Sequence, residues 1–445
     1  MPNLPETDVA AVCERLRADG VDVVRVSYPD LIGVDRGRDV LLDELPAAAG
    51  HGLAFCRAVY HTSPMGDVVP VQGGLEAGLP DIHVHPDLAT LAPLPWEPNA
   101  AWCLGDAVTP DGSPAPESPR VVVRRVADQI SGLGYSLICG PELEFFLCQR
   151  DADGRWQRYA NELGNVYVVG HKGDPEGLLL HMLRQLRDAG LRVTAANHEF
   201  SPGQFEINLG HSELADAADR SFRLKSAVQE IARRRGMLAT FMAKPYSGRA
   251  GSGFHIHASL ADRAGRNLFA AEDPEGTPLL RHAVAGLLAT IADGMGVFAP
   301  NANSYRRFQA TSYAPIARTW GVNNRSVAVR VPTGGPETRH LEHRVAGADA
   351  NPYLAIAAVL AGMHKGIVDR LDPGPAIEGN GYAQANADLP NDWPAALRLL
   401  EGSTFLADYF GKRFLAIYHA IKAAECRRFA AQVSELDLDW YLTRA

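Results

Sequence analysis

Ile138-Cys-Gly-Pro-Glu142-Leu-Glu144-Phe-Phe146 is the run from which the rest of the chain is read. Its apolar flanks predict a strand, and a strand period of two sends Glu142 and Glu144 to one face. Two like charges side by side on a half-buried strand repel each other and lose hydration. They therefore need water, basic groups or a hard cation nearby.

The same device recurs along the sequence. His198-Glu199-Phe-Ser-Pro-Gly-Gln-Phe-Glu206 holds Glu199 in a turn and Glu206 in a strand. In Gly251-Ser-Gly-Phe-His255-Ile-His257-Ala-Ser259, His255, His257 and Ser259 share one face, opposite Phe254, Ile256, Ala258 and Leu260. His340-Leu-Glu342-His-Arg344 aligns His340, Glu342 and Arg344. On runs otherwise apolar enough to be buried, this repetition predicts that Glu142, Glu144, Glu199, Glu206, His255 and Glu342 point into one cavity. Five carboxylates and an imidazole form an oxygen-rich donor set, which suits Mg2+ or Mn2+ better than zinc or copper.

Arginines supply the counterpart. Arg307, Arg325, Arg330 and Arg344 lie on elements that also read as partly buried, and alternation in Val327-Ala-Val-Arg330-Val sets Arg330 against the valine face. A guanidinium there can grip an oxyanion with two bonds. Cations plus arginines around one cavity argue for phosphoryl transfer. Neither a Gly-x-x-x-x-Gly-Lys-Ser/Thr loop nor a dinucleotide fingerprint occurs, and Gly248-Arg-Ala-Gly-Ser-Gly is only a flexible loop beside the histidine strand.

The totals fit this reading. At 445 residues the chain exceeds one ordinary core, so a small and a large domain are expected. A net charge of −9 has the wrong sign for a nucleic-acid binder. The greasiest segments, Ala283 to Ala292 and Leu354 to Met363, are too short to span a bilayer and predict buried helices. Six scattered cysteines without a Cys-x-x-Cys pair, and an N-terminus lacking a basic start and an apolar run, predict reduced thiols in a cytoplasm.

Short strands over Val21–Ser27, Gly33–Leu41, His51–Tyr60 and Leu91–Leu94 after a helix over Asp8–Asp19 predict an N-terminal α+β domain of residues 1–108. The stretch Val108–Arg120, with four prolines, marks the boundary with a domain of residues 109–445. There, strands over Tyr135–Cys148, Gly203–Leu209, Gly253–Leu260, Val327–Val331 and His340–Val345 alternate with helices. The helical patterns begin at Ser118 and Asp174 and cover Ala215–Arg235, Leu279–Ala292, Pro352–Val368 and Gly411–Gln432.

In order along the chain, these motifs resemble the type I glutamine synthetase family: Gly-Pro-Glu142-Leu-Glu144, His198-Glu199 through Glu206, Lys244-Pro through His257, Asn303-Ser-Tyr-Arg-Arg307, Asn324-Arg325-Ser through Arg330, and Glu342-His-Arg344 followed by Ala-Asn351-Pro-Tyr. The resemblance implies a small β-grasp domain, then an α/β catalytic domain with a curved antiparallel sheet. It also implies active sites between subunits of a dodecamer of two hexameric rings. Two metal ions would be held, one by Glu144, Glu199 and Glu206, the other by Glu142, His255 and Glu342. Gly251, Arg307 and Arg344 would bind L-glutamate, and His257, Ser259, Arg325 and Arg330 would contact ATP or the transferred phosphoryl group.

The departures from the family concern ammonium. Where its ammonium enzymes carry Phe-Asp-Gly-Ser-Ser, this sequence reads Phe55-Cys56-Arg57-Ala58-Val59, and the flap glutamate before Ala-Pro is Tyr313. An ATP-side arginine is His340. Removing one partner of a buried charge pair costs ~3 to 5 kcal/mol, and lost general-base help costs a further factor of about 10² to 10⁴. The pattern therefore predicts a ligase joining glutamate to an organic amine such as ethanolamine, a polyamine or another alkyl or aryl amine. Cys56, Arg57, Tyr167, Tyr313 and Trp320 are candidates for the amine pocket. Ordinary glutamine synthetase and a non-catalytic metal-binding assembly are the alternatives, and Tyr382 is a loose candidate for adenylylation.

Overall fold

A computed structural model of the chain describes residues 8–160 and 166–444. The Asp8 carboxylate accepts from the N–H groups of Ala10 and Ala11 and so caps the first helix, α1 (Val9–Ala18). There follow β1 (Val23–Pro29), β2 (Asp35–Leu41), α2 (Leu45–His51), β3 (Leu53–Cys56), β4 (Asp81–Pro93) and β5 (Ala100–Val108). The five strands form one sheet in the order β2-β1-β5-β4-β3, with β1 and β5 parallel and the other pairs antiparallel. The strand expected over His51–Tyr60 is broken into three pieces. Gly52, at φ 72°, ends α2, β3 stops at Cys56, and a 3₁₀ turn at Arg57–His61 swings Tyr60 and His61 into the core. The apolar stretch at Leu91–Leu94 is mostly the end of β4, set off by a bulge between Asp87 and Ala92.

After the proline-rich stretch come α3 (Pro119–Gly132), β6 (Ser136–Arg150), β7 (Trp156–Arg158), α4 (Leu178–Asp188), β8 (Val193–His198), β9 (Gln204–Leu209), β10 (Ser212–Glu213), α5 (Leu214–Arg234), β11 (Leu238–Thr240) and β12 (Phe254–Ala261). The chain continues through α6 (Pro278–Phe298), β13 (Trp320–Val322), β14 (Val329–Val331), β15 (Leu341–His343) and α7 (Pro352–Val368). It closes with α8 (Gly381–Gln384), α9 (Trp393–Gly402), α10 (Thr404–Phe410), α11 (Lys412–Ala430) and α12 (Glu435–Tyr441). The second sheet runs β13-β14-β15-β12-β6-β9-β8, with β7, β10 and β11 added along β6. Every pairing in it is antiparallel except β13 with β14. Its central strand is the one that carries Glu142 and Glu144.

The greasy segments are buried helices. Every residue of α7 from Pro352 to His364 is buried, as an all-round apolar helix must be. Its crossing with α6 is closer than ordinary side chains allow: a Cβ on Gly286 would lie 2.1 Å from the Gly362 carbonyl oxygen. Among the described residues no helix is long and apolar enough to cross a membrane.

One buried arginine ties the first sheet to the helices that follow it. Arg120, at the start of α3, donates to Asp219 of α5 (2.7 and 3.0 Å), Asp106 of β5 (2.6 Å) and Asp87 of β4 (2.9 Å). Tyr353 of α7 donates to Asp219 as well (2.7 Å). Such a charge is tolerated inside only because it is multiply paired. Asn351 adds a second tie, donating to the carbonyls of Asp30 and Leu31.

Candidate active site

Strand register assembles the site. His255 faces Glu142 across β12 and β6, Glu144 faces Glu206 across β6 and β9, and His257 faces Glu342 across β12 and β15. Arg330 of β14 faces Glu342 from the other side. Alternation then does what it must, sending these side chains to one surface of the sheet while Leu143, Phe145, Phe254 and Ile256 enter the core on the other. Glu199 arrives from the bend after β8, where the Asn197 amide donates to it at 2.9 Å. All six predicted ligand residues line a single cavity of about 520 Å³, together with Gly251, His257, Arg307, Arg325, Arg330 and Arg344.

Within that cavity the donor atoms fall into overlapping groups, and His255 Nδ1 lies 3.7 Å from Glu142 Oε2 and 4.0 Å from Glu342 Oε1. Carboxylate or imidazole atoms of Glu142, Glu206 and His255 lie within 4.8 Å of one another, and so do those of Glu142, His257 and Glu342. His257 Nε2 is 3.3 Å from Glu142 Oε2. Glu144 is turned to receive the Gly253 N–H at 2.7 Å and the Gln204 amide at 3.3 Å. Glu342 is pinned between Arg330 (2.8 Å) and Arg344.

Two electrical environments result. Burial resists ionisation of Glu342, but Arg344, His257, His255 and Arg330 hold its carboxyl at about 2. Burial likewise opposes ionisation of Glu142, yet hydrogen bonding to His255 and His257 keeps it well below the usual carboxylate range. On the other side, burial and then repulsion from Glu142, Glu144 and Glu199 push Glu206 up to about 9. Burial and Glu144 raise Glu199 to about 7. Carboxylates crowded until they hold protons form the donor set that hard dications neutralise, so the residues present fit Mg2+ or Mn2+.

The arginines are held for work on anions. Arg307 is buried and donates to the carbonyls of Val345 (2.7 Å) and Arg344 (3.2 Å). Gly251 is needed beside it, since a Cβ there would stand 2.7 Å from Arg307 Cγ and from the Ala243 carbonyl oxygen. Arg330 adds a bond to Asn323 (2.7 Å) to its pairing with Glu342, while Arg325 stands exposed at the cavity rim.

A second cavity, of about 610 Å³, shares Glu142, Asn208 and His257 as a common wall with the first. Ser259, His340, Ile138 and Asn267 line it. His340 occupies a place that an arginine fills in the resemblance, and its Nε2 lies 2.9 Å from His257 Nδ1.

The amine-pocket candidates divide. Tyr167 and Tyr313 line the first cavity, both more than half exposed and both at positive φ (61° and 59°). Cys56 and Arg57 line no part of it, and the Arg57 guanidinium is committed to the buried Glu117 (2.5 Å). Trp320 is buried, with its indole N–H donated to the Gly374 carbonyl (3.1 Å), and lies outside the lining. Sequence reading missed Phe200, whose ring stacks on Tyr313 with centroids 5.3 Å apart and planes at 16°. Its place directly after Glu199 was the available signal. Tyr382 is half-buried and donates to the Ala314 carbonyl at 3.0 Å.

The family model for the glutamine synthetase catalytic domain matches residues 116–441. Gamma-glutamylputrescine synthetase of Escherichia coli K12 is 37% identical over 96% of this chain and 93% of its own length. Gamma-glutamylethanolamide synthetase of Streptomyces coelicolor is 35% identical over 99% of this chain and 96% of its own. The solved structure of ligand-free GmaS superposes with a TM-score of 0.85 at 30% identity, covering 97% of this chain and 99% of that one.

Proposed function

The chain belongs to the glutamine synthetase family of carbon–nitrogen ligases, and on that premise we propose that it joins the γ-carboxylate of L-glutamate to an organic amine, using ATP. The observation that carries this reading is the convergence of five carboxylates, two imidazoles and four arginines on one cavity whose rim presents Tyr313 where the family's ammonium enzymes carry a glutamate. Two relatives are named for γ-glutamyl products of putrescine and of ethanolamine, which supports an alkyl, aryl or polyamine co-substrate.

In this reading ATP lies against His257, Ser259 and Arg325, and glutamate against Gly251, Arg307 and Arg344. A γ-carboxylate oxygen attacks the terminal phosphorus of ATP and ADP leaves. The neutral amine nitrogen then attacks the γ-carbonyl carbon of γ-glutamyl phosphate, the bond from that carbon to the phosphate oxygen breaks, and the proton shed by nitrogen leaves with the departing orthophosphate. Arg325 and Arg330 neutralise the transferred group in the transition state. Glu142, Glu144, Glu199, Glu206, His255 and Glu342 would hold two ions of Mg2+ or Mn2+, with His257 beside Glu342 as an added donor. Bound there, the ions screen phosphate charge and orient the phosphoryl group. Tyr313 closes the mouth and limits loss of the acyl phosphate to water.

The reading extends to organisation. We assign residues 1–108 to a β-grasp domain and 109–445 to the catalytic domain, in a dodecamer of two hexameric rings. Each site would be completed by a neighbour's N-terminal domain, which accounts for Cys56 and Arg57 lying outside the cavity of their own chain. The six cysteines are all unpaired, in keeping with a cytoplasmic enzyme.

The deciding experiment is phosphate release with glutamate, ATP and Mg2+ across a panel of amines that includes ammonium. At least one organic amine is expected to give a higher kcat/KM than ammonium. A panel in which ammonium is best returns the protein to the ordinary glutamine synthetases, and no turnover with any amine removes it from catalysis.

A further inference from the structure

Phe200 and Tyr313 are the most unusual aromatic residues at the site. They lie in separate loops, each is 53% exposed, and they stack face to face on the lining of the carboxylate cavity. Water-facing aromatic pairs leave apolar area uncovered, and their faces attract a cation or an adjacent methylene. The backbone under Tyr313 is also strained. Thr311 and Tyr313 sit at φ 65° and 59°, in the left-handed region that residues other than glycine seldom adopt.

That strain is braced from two sides. The Ser312 hydroxyl lies 3.0 Å from the Arg307 carbonyl oxygen and 2.6 Å from that of Gln309, and the Tyr382 hydroxyl donates to the Ala314 carbonyl. The turn is thereby tied to Arg307 on one side and to α8 on the other, and the outcome of that bracing is the position of one ring. Strain held in place by its surroundings points to a use. On the opposite side Phe200 is fixed by its neighbour, since its own N–H donates to the Glu199 carboxylate at 3.3 Å. A polar carboxyl group and an apolar wall therefore stand one residue apart, so an amine nitrogen and its carbon tail find different surfaces within one short span.

Resting on the ligase reading above, we propose that Phe200 and Tyr313 together form the specificity-determining wall for the carbon part of the amine, with Tyr382 as a positioning residue that holds the Tyr313 turn. The substrate class is a primary amine whose chain lays several carbons on the stacked pair while its nitrogen stays on the Glu199 side. The pair thereby favours alkyl or arylalkyl amines over ammonium by burying chain against its faces.

The test is a homologous series of ammonium, methylamine, ethylamine, propylamine and butylamine, assayed by phosphate release for the parent, Phe200→Ala, Phe200→Leu and Tyr382→Phe. In the parent, kcat/KM is expected to rise roughly fourfold per methylene where each is buried. In Phe200→Ala the ratio of butylamine to ammonium should drop at least tenfold, through KM for the amine more than through kcat. Phe200→Leu should restore most of the ratio, and Tyr382→Phe should lower it by a smaller factor. A general structural defect would instead depress all amines together. Alkylamine turnover with the same chain-length slope in parent and Phe200→Ala overturns the wall and leaves the ligase standing. A parent that responds to ammonium alone overturns the ligase reading itself.

Discussion

The carboxylate cluster and the aromatic rim sit on the same cavity but are built in opposite ways. Glu142, Glu144, Glu206, His255 and Glu342 stand on paired strands, where register places them and neighbouring ladders prevent drift. Tyr167, Phe200 and Tyr313 stand on turns, two of them at positive φ, with their rings half in water. A sheet is a good mount for chemistry that must not vary, because moving one ligand would move a whole strand. A turn is a good mount for a preference, because a single substitution changes the wall and leaves the ladder alone.

The sharpest way to break this division is to strike the strand side. Arg330→Ala should lower turnover roughly 10²- to 10³-fold, the usual cost of losing a preorganised charge-stabilising donor. The effect on KM for glutamate should be much smaller, and steady-state kinetics at saturating ATP would separate the two. Equal turnover in variant and parent would take Arg330 out of the mechanism.

A rim substitution should act on selection rather than on the reaction as a whole. Tyr313→Glu exchanges an apolar wall for a carboxylate and should move the kcat/KM ratio of the best organic amine to ammonium roughly tenfold toward ammonium, about what two buried methylenes are worth. An unchanged ratio would detach Tyr313 from amine choice.

The cluster also makes a prediction about pH. Glu199 and Glu206 have folded-state values raised to about 7 and about 9 from an ordinary 4.5. Their favourable contribution is therefore present below 4.5 and is lost as pH rises through those values. Glu342, depressed to about 2, works the other way, keeping its contribution above 4.5 and losing it only in acid. Between pH 5 and 9 the metal-free protein should thus melt at steadily lower temperature, by several degrees, and saturating Mn2+ should flatten the slope. A melting temperature indifferent to both pH and Mn2+ would contradict the crowding of these carboxylates.

The smallest effect is expected at Trp320, the aromatic that sequence reading assigned to the wrong region. Trp320→Phe removes one buried hydrogen bond, worth about 1 kcal/mol. It should lower the melting temperature slightly without changing amine preference. A shift in the amine ratio would place a core residue on the rim and blur the division.

What the sequence shows follows the same line. Period-two spacing on apolar runs is a local signal, so Glu142 with Glu144 and His255 with His257 could be assigned to one face before any fold was known. Register is not local. Which residues stand opposite one another depends on pairing across β6, β12 and β15, so that His257 meets Glu342 and His255 meets Glu142 only once the sheet is assembled. The rim was legible only in part. Tyr313 showed as a departure from a motif, while Phe200 next to Glu199 read as an ordinary apolar residue because its partner lies in a distant turn. Trp320 misled for the converse reason, since an aromatic near an arginine-rich segment reads alike whether it faces a cavity or a core. In the N-terminal region, Gly52 at the end of α2 was a helix stop within view, and His51–Tyr60 should have been split there.

The central place of β6 also has a consequence for how the protein is made. Its partners β9 and β12 follow in that order, and His255 of β12, which stands opposite Glu142, comes about 110 residues after it. At synthesis rates of about 5–20 residues per second, Glu142 would be polymerised roughly 6–23 s before His255. During that interval β9 can cover only one edge, and the other waits as an open ladder beside two uncompensated carboxylates. Those charges, a burden in the finished site, would discourage a nascent β6 from pairing with another copy of itself, because identical strands would bring like charges together.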